Sequence, residues 1–368
     1  MPPMSASAAR GILPGQAIAA LAGTGALAAD LAFAPDQIQP ASVDLRLGTR
    51  GWRVRASFLP GPQVKVRDRL SALALHEIDL TTGAVLETGC VYVVELLERL
   101  KLPDDVAAAA NPKSSTGRLD VFTRIIADGM RAFDQLPEGY AGPLYLEVSP
   151  RTFPILVRTG SRLSQLRLRR GAAVVLGAEL ARLQEEQRLV DTKDPDFRSG
   201  GIAVSIDLSE RDGVVGWRAK RHTGLVDVDK RAACEVLDYW EPLTRVGHPG
   251  LVLDPDEFYI LASKEAVQVP PAFAAEMVPF DPLVGEFRVH YAGFFDPGFG
   301  WAPAGGAGAR AVLEVRSREV PFILEDGQIV GRLVYERLIE PPATLYGTEL
   351  GSHYQAQGLK LSKHFRAA

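Results

Sequence analysis

A cluster of small polar and cationic residues between Asn111 and Arg118 is the part of the sequence best suited to binding a ligand. It reads Asn-Pro-Lys-Ser-Ser-Thr-Gly-Arg, so Lys113 and Arg118 flank the adjacent hydroxyls of Ser114 and Ser115. Hydroxyl donors, backbone amides and two cations in a short turn that contains glycine suit a di- or triphosphate. A capped turn with solvated charges is the structural alternative, because short motifs also arise by chance.

Two glutamates inside apolar segments are candidates for proton transfer. Glu147 lies in Leu144–Val148, and Glu314 lies in Ala311–Val315. A carboxylate in an apolar strand is costly unless it is paired or functional, and burial raises its pKa. Such a group can act as a general acid and base. The alternative is a carboxylate that faces solvent on an alternating strand.

An aspartate precedes each of these glutamates, and a polar tail follows the second. Asp296 lies in Ala292-Gly-Phe-Phe-Asp-Pro-Gly-Phe299, and Asp134 ends a looser counterpart that begins at Ala127. The tail reads His-Tyr-Gln-Ala-Gln-Gly from 353 to 358. It could close over a bound ligand as a lid, although such a segment is often only a disordered terminus.

Signatures of several other enzyme classes are absent from the sequence. Zinc-dependent nucleobase deaminases need a His-x-Glu and a Pro-Cys-x-x-Cys pair, and neither occurs. The chain also contains no Gly-x-x-x-x-Gly-Lys-Ser loop and no Gly-x-Gly-x-x-Gly fingerprint. We therefore expect no catalytic zinc, no P-loop chemistry and no dinucleotide cofactor.

The bulk composition is that of a globular protein. The chain has 368 residues, 46% hydrophobic content and a net charge of −4, so two domains are expected and a long polyanion such as nucleic acid is not. No apolar run reaches the length of a membrane span, so no membrane association is expected. Only Cys90 and Cys234 are present, which predicts two buried thiols and a reducing, cytoplasmic setting.

The sequence repeats itself at a nearly constant offset. Ser42-Val-Asp-Leu45 recurs as Ser205-Ile-Asp-Leu208, and Leu146-Glu-Val148 recurs as Leu313-Glu-Val315. This predicts two copies of one domain, the first in residues 1–190 and the second in residues 200–368. A polar, turn-rich stretch at 189–201 marks the boundary. At the position of the first copy's cationic cluster, the second copy has only Phe280-Asp-Pro-Leu-Val-Gly285.

Each copy has the pattern of a β domain. Short runs such as Val91–Val94, Phe153–Val157 and Ile329–Tyr335 are β-branched or alternating and are bounded by Gly or Pro. They predict a mainly β fold of two tandem distorted barrels or sandwiches with a few short helices. Helices are predicted in an N-terminal segment that starts near Gly15, in 177–187 and in 230–239.

Taken together, these segments resemble the dCTP deaminase family, a branch of the trimeric dUTPase fold. Lys113–Arg118 is similar to the family's Arg-Ser-Ser-x-x-Arg phosphate loop, with Lys in place of the first Arg. Ala292–Gly298 resembles the segment that contacts base and sugar, and Leu313-Glu314 resembles the strand with the catalytic Glu. Tyr354-Gln-Ala-Gln357 is similar to the family's Tyr-Gln-Gly-Gln closure over the phosphates. The resemblance covers nearly the whole chain and implies two fused dUTPase-like domains.

The resemblance also implies a site between neighbouring domains. Glu314 would activate the water that attacks C4 of cytosine, Ser114 would orient that water or the exocyclic amine, and Arg118 would bind phosphate. Asp296 would bind the deoxyribose hydroxyl, and the backbone near Ala292 would read the base. Further substrate contacts would come from Lys113, Ser115, Val312, Tyr354 and Gln357. Magnesium would enter with the triphosphate, without performing the attack.

A competing arrangement keeps the whole site in the first copy. Asp134 and Glu147 would then take the roles of Asp296 and Glu314. Its weakness is the irregular spacing between Ala127 and Glu147.

Three functions follow from this reading. The first is deamination of dCTP to dUTP and ammonia, with dTTP as an expected inhibitor and a homo-oligomer as an expected assembly. The second is a dUTPase or a bifunctional deaminase and diphosphatase, because both chemistries use one fold. The third is a non-catalytic nucleotide-binding regulator, because the second copy has lost its phosphate loop.

Overall fold

The computed structural model describes residues 9–210, 213–244, 250–279, 287–290, 293–304, 308–317, 319–347 and 358–366, without the side chains of 199, 279, 287–290 and 304. Most of the ordered segments in this part of the chain are strands. The α-helices are α1 (Gly15–Gly23), α2 (Val66–Leu73), α3 (Ser114–Gly117), α4 (Gly177–Gln187) and α5 (Val236–Tyr239).

The strands of the first half form three sheets. They are β1 (Gly11–Ile12), β2 (Leu27–Ala29), β3 (Val43–Leu45), β4 (Leu47–Val54), β5 (Ala74–Asp79), β6 (Ala84–Leu86), β7 (Val91–Lys101), β8 (Val106–Pro112), β9 (Val121–Ala127), β10 (Gln135–Leu136), β11 (Ala141–Pro150), β12 (Ile155–Val157) and β13 (Ser164–Arg170). One sheet has the order β1-β13-β8-β10 with β3 beside β13, and a second has the order β5-β4-β7-β11-β9 with β2 beside β7. The third, β16-β12-β6, includes a strand from the second half.

The second half is built around one large sheet. Its strands are β14 (Ile202–Asp207), β15 (Gly216–Ala219), β16 (Val226–Asp227), β17 (Trp240–Leu243), β18 (Gly250–Leu253), β19 (Phe258–Val267), β20 (Phe273–Pro279), β21 (Phe287–His290), β22 (Phe294–Phe295), β23 (Ala309–Ser317), β24 (Phe322–Glu325) and β25 (Ile329–Arg337). The order is β17-β15-β19-β14-β25-β20-β22, and β23 pairs with β19 and β21. β18 and β24 form a separate antiparallel pair.

The largest hydrophobic cluster spans both halves, and a second large cluster lies within residues 175–335. The largest buried cluster contains strand residues of the first half together with Trp240, Phe258 and Phe365. The ring of Phe153 lies 5.4 Å from that of Trp240 and 6.1 Å from that of Phe365. Burial of these large side chains is the main force that holds the halves together, since each removes a large apolar area from water.

Backbone pairing joins the halves as well. β12 of the first half pairs in parallel with β16 of the second, with Ile155 opposite Val226. Near the C-terminus, the backbones of Cys234 and Phe365 pair in an isolated parallel β-bridge. This pairing helps to anchor residues 358–366 between the two halves. The fold therefore fixes the first half, the second half and the end of the chain against one another.

The mainly β class predicted from the sequence is confirmed, and so are the helices near Gly15 and at Gly177–Gln187. The helix predicted at 230–239 is wrong in extent, because only Val236–Tyr239 is helical. The sequence analysis missed α2, since only Val66 and Leu70 of its eight residues are buried and the apolar periodicity is weak. Cys234 is buried as predicted, whereas Cys90 is only half-buried.

Within the described residues, no helix is both long enough and apolar enough to cross a membrane.

Candidate active site

The cationic cluster of the first half is a one-turn helix that continues from a strand. β8 ends at Pro112, the amide of Lys113 donates to the carbonyl of Leu163 (3.0 Å), and α3 begins at Ser114. The amide of Arg118 donates back to the carbonyl of Ser114 (3.1 Å). Ser115 and Arg118 are buried and Ser114 is half-buried. The predicted turn is thus a compact one-turn helix, and pairing of β8 with β13 holds the strand that leads into it.

Arg118 of this turn faces Glu314 of the second half. Glu314 lies on β23, and its Oε1 is 3.9 Å from Nε of Arg118. Both side chains are buried. Nη1 of Arg118 also donates to the carbonyl of Lys360 (2.9 Å), in the C-terminal segment. The structure therefore brings the predicted phosphate-binding arginine and the second predicted glutamate into one site.

Burial raises the pKa of Glu314 to about 8, against the opposing effect of the Arg118 guanidinium, and the Asp120 carboxylate adds to the rise. Taking a carboxylate out of water disfavours its charged form, whereas a nearby cation favours it. A carboxyl group that titrates near neutral pH can accept a proton and return it during one reaction cycle.

Asp296 lies in a tight turn that depends on a glycine at position 298. The amide of Phe299 donates to the carbonyl of Asp296 (3.1 Å), and Gly298 has a φ of +96°. A Cβ at Gly298 would lie 3.0 Å from the backbone of Tyr346, so a larger residue would collide there. Burial raises the pKa of Asp296 to about 6, against the opposing effects of Arg167 and Lys113.

Arg167, on β13 of the first half, holds this segment in place. Its Nη2 donates to the carbonyl of Phe295 (3.3 Å) and lies 3.7 Å from Oδ1 of Asp296. Its guanidinium stacks 4.0 Å from the ring centre of Phe294, and Nη1 donates to Glu336 (3.2 Å). Sequence reasoning missed Arg167, because no local pattern indicates a contact with a residue 128 positions away.

Lys113 contacts a second buried carboxylate. Nζ of Lys113 pairs with Asp44 on β3, and Nη1 of Arg162 lies 3.5 Å from the other oxygen of Asp44. Burial lowers the pKa of Lys363, and the nearby Lys113 cation lowers it further. Cations from three segments therefore surround the start of α3, an arrangement suited to a multiply charged anion.

The end of the chain contacts the same turn. Oγ of Ser362 is 2.7 Å from the carbonyl of Ser115, and Nδ1 of His364 is 2.9 Å from that hydroxyl. Nε2 of His364 is 2.9 Å from the carbonyl of Val228, so this nitrogen carries the proton and donates. Burial lowers the His364 pKa to about 4. Ala292, Tyr354 and Gln357, predicted to contact the substrate, lie outside the described residues.

Glu147 and Asp134, the carboxylates of the competing site in the first half, lie in a different environment from that of Glu314 and Asp296. Oε1 of Glu147 accepts from Nη2 (2.6 Å) and Nε (3.0 Å) of Arg124, which also donates to Ser57 (2.6 Å). Asp134 accepts from the amide of Ile125 (2.7 Å), and burial raises its pKa to about 7. Glu147 is thus bound to a cation on the adjacent strand, whereas Arg118 lies beside Glu314.

Val312 and the possible metal ligands are the remaining features of the site. Val312, predicted to contact the substrate, is half-buried against the first half's core, two residues before Glu314 on β23. Within the described parts of the chain, no group of three or more His, Cys, Asp or Glu side chains is placed to hold a metal ion.

Comparison with known proteins gives two family matches that together span almost the whole chain. Residues 9–172 match the model of the 2'-deoxycytidine 5'-triphosphate deaminase N-terminal domain, and residues 176–365 match that of the C-terminal domain. A crystal structure of 2'-deoxycytidine 5'-triphosphate deaminase from Agrobacterium tumefaciens is similar, with 61% identity and a TM-score of 0.89. The similarity covers 93% of this chain and 100% of that one.

Two curated relatives match over shorter segments. A "dCTP deaminase, dUMP-forming" from Beutenbergia cavernae is 33% identical over 156 residues, which is 42% of this chain and 77% of that protein. A "dCTP deaminase" from Haloarcula marismortui is 34% identical over 135 residues, 36% of this chain and 66% of that protein. Each relative therefore aligns to less than half of this chain.

Proposed function

This chain belongs to the dCTP deaminase family, and from that membership we propose that it hydrolyses dCTP to dUTP and ammonia at a single composite site between its two halves. The observation that carries the proposal is the buried contact between Arg118, on the phosphate turn of the first half, and Glu314, on a strand of the second. That contact places an anion-binding cation next to a carboxyl group that can exchange protons near neutral pH.

The reaction exchanges one water molecule for one ammonia. The ionised Glu314 takes a proton from water while the water oxygen forms a bond to C4 of cytosine. The C4–N3 double bond becomes a single bond as this proton passes from Glu314 to N3. Glu314 then takes the proton of the C4 hydroxyl and gives it to the exocyclic nitrogen, so the C4–N bond breaks, ammonia leaves and C4 becomes a carbonyl. Ser114 orients the water or the amine. The raised pKa of Glu314 suits these proton transfers.

The remaining walls of the site bind the nucleotide. Lys113, Ser115 and Arg118 bind the triphosphate, which arrives as its magnesium complex, and Lys363 adds a cation beside Lys113. Asp296 accepts a hydrogen bond from the deoxyribose hydroxyl. Val312 and the backbone near Ala292 contact the base, and Tyr354 and Gln357 close over the phosphates.

A product assay tests the proposal directly. Incubation with dCTP and magnesium is expected to release ammonia and dUTP in equal amounts. Pyrophosphate with dUMP would instead identify a bifunctional deaminase and diphosphatase, an alternative favoured by the dUMP-forming relatives. Binding of dCTP without any product would identify a non-catalytic nucleotide-binding protein and overturn the proposal.

The pH dependence of kcat/KM follows from the role of Glu314 as a base. Only the ionised form can take a proton from water, and its pKa is raised to about 8. Below about pH 8, kcat/KM is therefore expected to fall roughly tenfold per pH unit. Protonation of Asp296, with a pKa of about 6, should steepen the fall below about pH 6. Ammonia release measured from pH 5.5 to 9.5 checks this, and a flat profile between pH 6 and 8 would contradict it.

The proposal extends to inhibitor, assembly and setting. dTTP is expected to compete with dCTP, because it presents the same triphosphate to the same cations. The two-copy chain is expected to form a homo-oligomer and to bind no nucleic acid, given its net charge of −4. The free thiols Cys90 and Cys234 fit a cytoplasmic setting.

A further inference from the structure

A second buried ion pair joins the phosphate turn to the strand that carries Glu314. Nη2 of Arg316, on β23, donates to Oδ2 of Asp120, which lies two residues after Arg118. Thr152 braces the pair: its hydroxyl donates to the same oxygen of Asp120 (2.6 Å) and lies 3.1 Å from Nη2 of Arg316. Asp120 and Arg316 are 1% and 7% exposed.

The two ion pairs between these elements have opposite polarity. The turn presents Arg118 and then Asp120, and the strand presents Glu314 and then Arg316, with the apolar residues Leu119 and Val315 between the charges. Residues two apart on a strand share a face, so Glu314 and Arg316 both face the first half. A slip of one element would bring two cations or two carboxylates together. Buried like charges repel strongly, so this pattern allows one alignment and disfavours others.

The backbone at Asp120 points to a role for its side chain. Asp120 has a φ of +55°, which non-glycine residues adopt uncommonly. Its amide donates to the carbonyl of Gly117 (2.8 Å), and its carbonyl accepts from the amide of Arg151 (2.9 Å). Glycine would adopt this conformation at less cost, but only a residue with a carboxylate can also bind Arg316 from this position.

The pair also acts on the electrostatics of the site. The charge of Asp120 disfavours ionisation of Glu314, whereas that of Arg118 favours it. Arg316 balances Asp120, since the two are in contact. Removing one member would therefore change both the alignment of the turn with β23 and the charge that Glu314 experiences.

We propose that Asp120 and Arg316, braced by Thr152, are positioning residues that set the alignment of the phosphate turn against the strand bearing Glu314. This inference rests on the proposed deaminase function for its kinetic consequences, while its structural consequence can be measured without turnover. Neither residue needs to touch the nucleotide, because they act through Arg118 and Glu314.

The test compares Asp120→Asn, Arg316→Gln and the charge-exchanged double variant Asp120→Arg with Arg316→Asp. Each single variant is expected to lower kcat by about 10- to 100-fold per folded molecule, with a smaller change in KM, because a slight misplacement of catalytic groups has effects of this size. The double variant should recover part of that loss. Arg158→Gln is the matched control, since it removes an ion pair between the halves, to Asp227 (2.8 Å), that does not involve β23 or the turn. It should keep kcat within about twofold.

The readout that separates positioning from simple stabilisation is the ionisation of Glu314 itself. Its carboxyl stretch in infrared difference spectra, assigned by its absence in Glu314→Gln, should titrate at lower pH in Asp120→Asn and at higher pH in Arg316→Gln. Unchanged titration in both variants, with wild-type kcat per folded molecule, would overturn the inference. A wild-type protein that releases no ammonia would overturn the deaminase function instead, and the infrared titration would still decide the positioning role.

Discussion

Replacing Glu314 with Gln is expected to lower kcat for dCTP deamination by about 10³-fold, because the variant keeps the shape of the site but cannot take a proton from water. Glu147→Gln is the matched control, since Glu147 is the corresponding strand glutamate of the first copy and is bound to Arg124. This control should keep kcat near the wild-type value per folded molecule. Ammonia release under saturating dCTP measures both.

Folding must be checked in both variants, and the expected effects differ in direction. Gln at 314 removes a carboxyl whose ionisation is disfavoured in the folded state, so the variant should be at least as stable as wild type above pH 8. Gln at 147 leaves the half-buried Arg124 guanidinium without its anion and should destabilise the fold. If Glu147→Gln removed turnover while Glu314→Gln kept it, the composite site would be wrong and the first-copy site correct.

The surroundings of Glu147 differ from those of Glu314. Residues 55–73 cross the sheet at this position: the amide of Gly129 donates to the carbonyl of Val64 (3.0 Å), and the amide of Val66 donates to Asp128 (2.8 Å). Val66 and Leu70 of α2 are buried with Tyr145, which shares a strand face with Glu147. Residues 55–73 of the first half thus cover the face of β11 that carries Glu147. The face of β23 that carries Glu314 is instead turned toward the first half.

Strand alignment also distinguishes the two glutamates. Arg124 is opposite Glu147 on β9, whereas His290 is opposite Glu314 on β21. An arginine is always charged in proteins, so Glu147 is held beside a permanent cation from the adjacent strand. Glu314 has instead the cation of Arg118, from the other half and at 3.9 Å. A carboxylate that must exchange protons is better served by the second arrangement.

The parts of the site that could be predicted from the sequence are the residues that each lie within a short, recognisable motif. Lys113–Arg118, Asp296 and Glu314 each lie in a motif whose residue types point to their chemistry. The mainly β class followed in the same way from short alternating runs with regular turns.

The residues that could not be predicted act across the two halves. Arg167 contacts Phe295, 128 residues away, and Arg316 contacts Asp120, 196 residues away. No local pattern encodes such partners, because they depend on how the two halves of the chain pack against each other. The sequence alone does not choose between Glu147 and Glu314, since both glutamates lie in similar segments and only their neighbours in the fold differ.

Replacing Arg118 with Gln is expected to lower kcat/KM for dCTP by about 10²- to 10³-fold, since truncating one member of a buried charge pair costs about 2–5 kcal/mol. Both kcat and KM should change. KM rises because the triphosphate loses a cation, and kcat falls at pH 7 because Glu314 loses the charge that favours its ionisation. The acid limb of the pH profile should therefore move to higher pH. Arg118→Lys keeps the charge and should hold the limb close to the wild-type position.

Arg124→Gln provides the contrast that makes this prediction specific. It too leaves a buried glutamate without its arginine, so a loss of stability of about 3–5 kcal/mol is expected from the uncompensated charge. Its kcat/KM per folded molecule should nevertheless stay near wild type, because the proposed composite site gives Glu147 no part in the reaction. Equal losses of kcat/KM in the two variants, at matched folded fractions, would mean that the Arg118–Glu314 contact is no more than an interdomain ion pair.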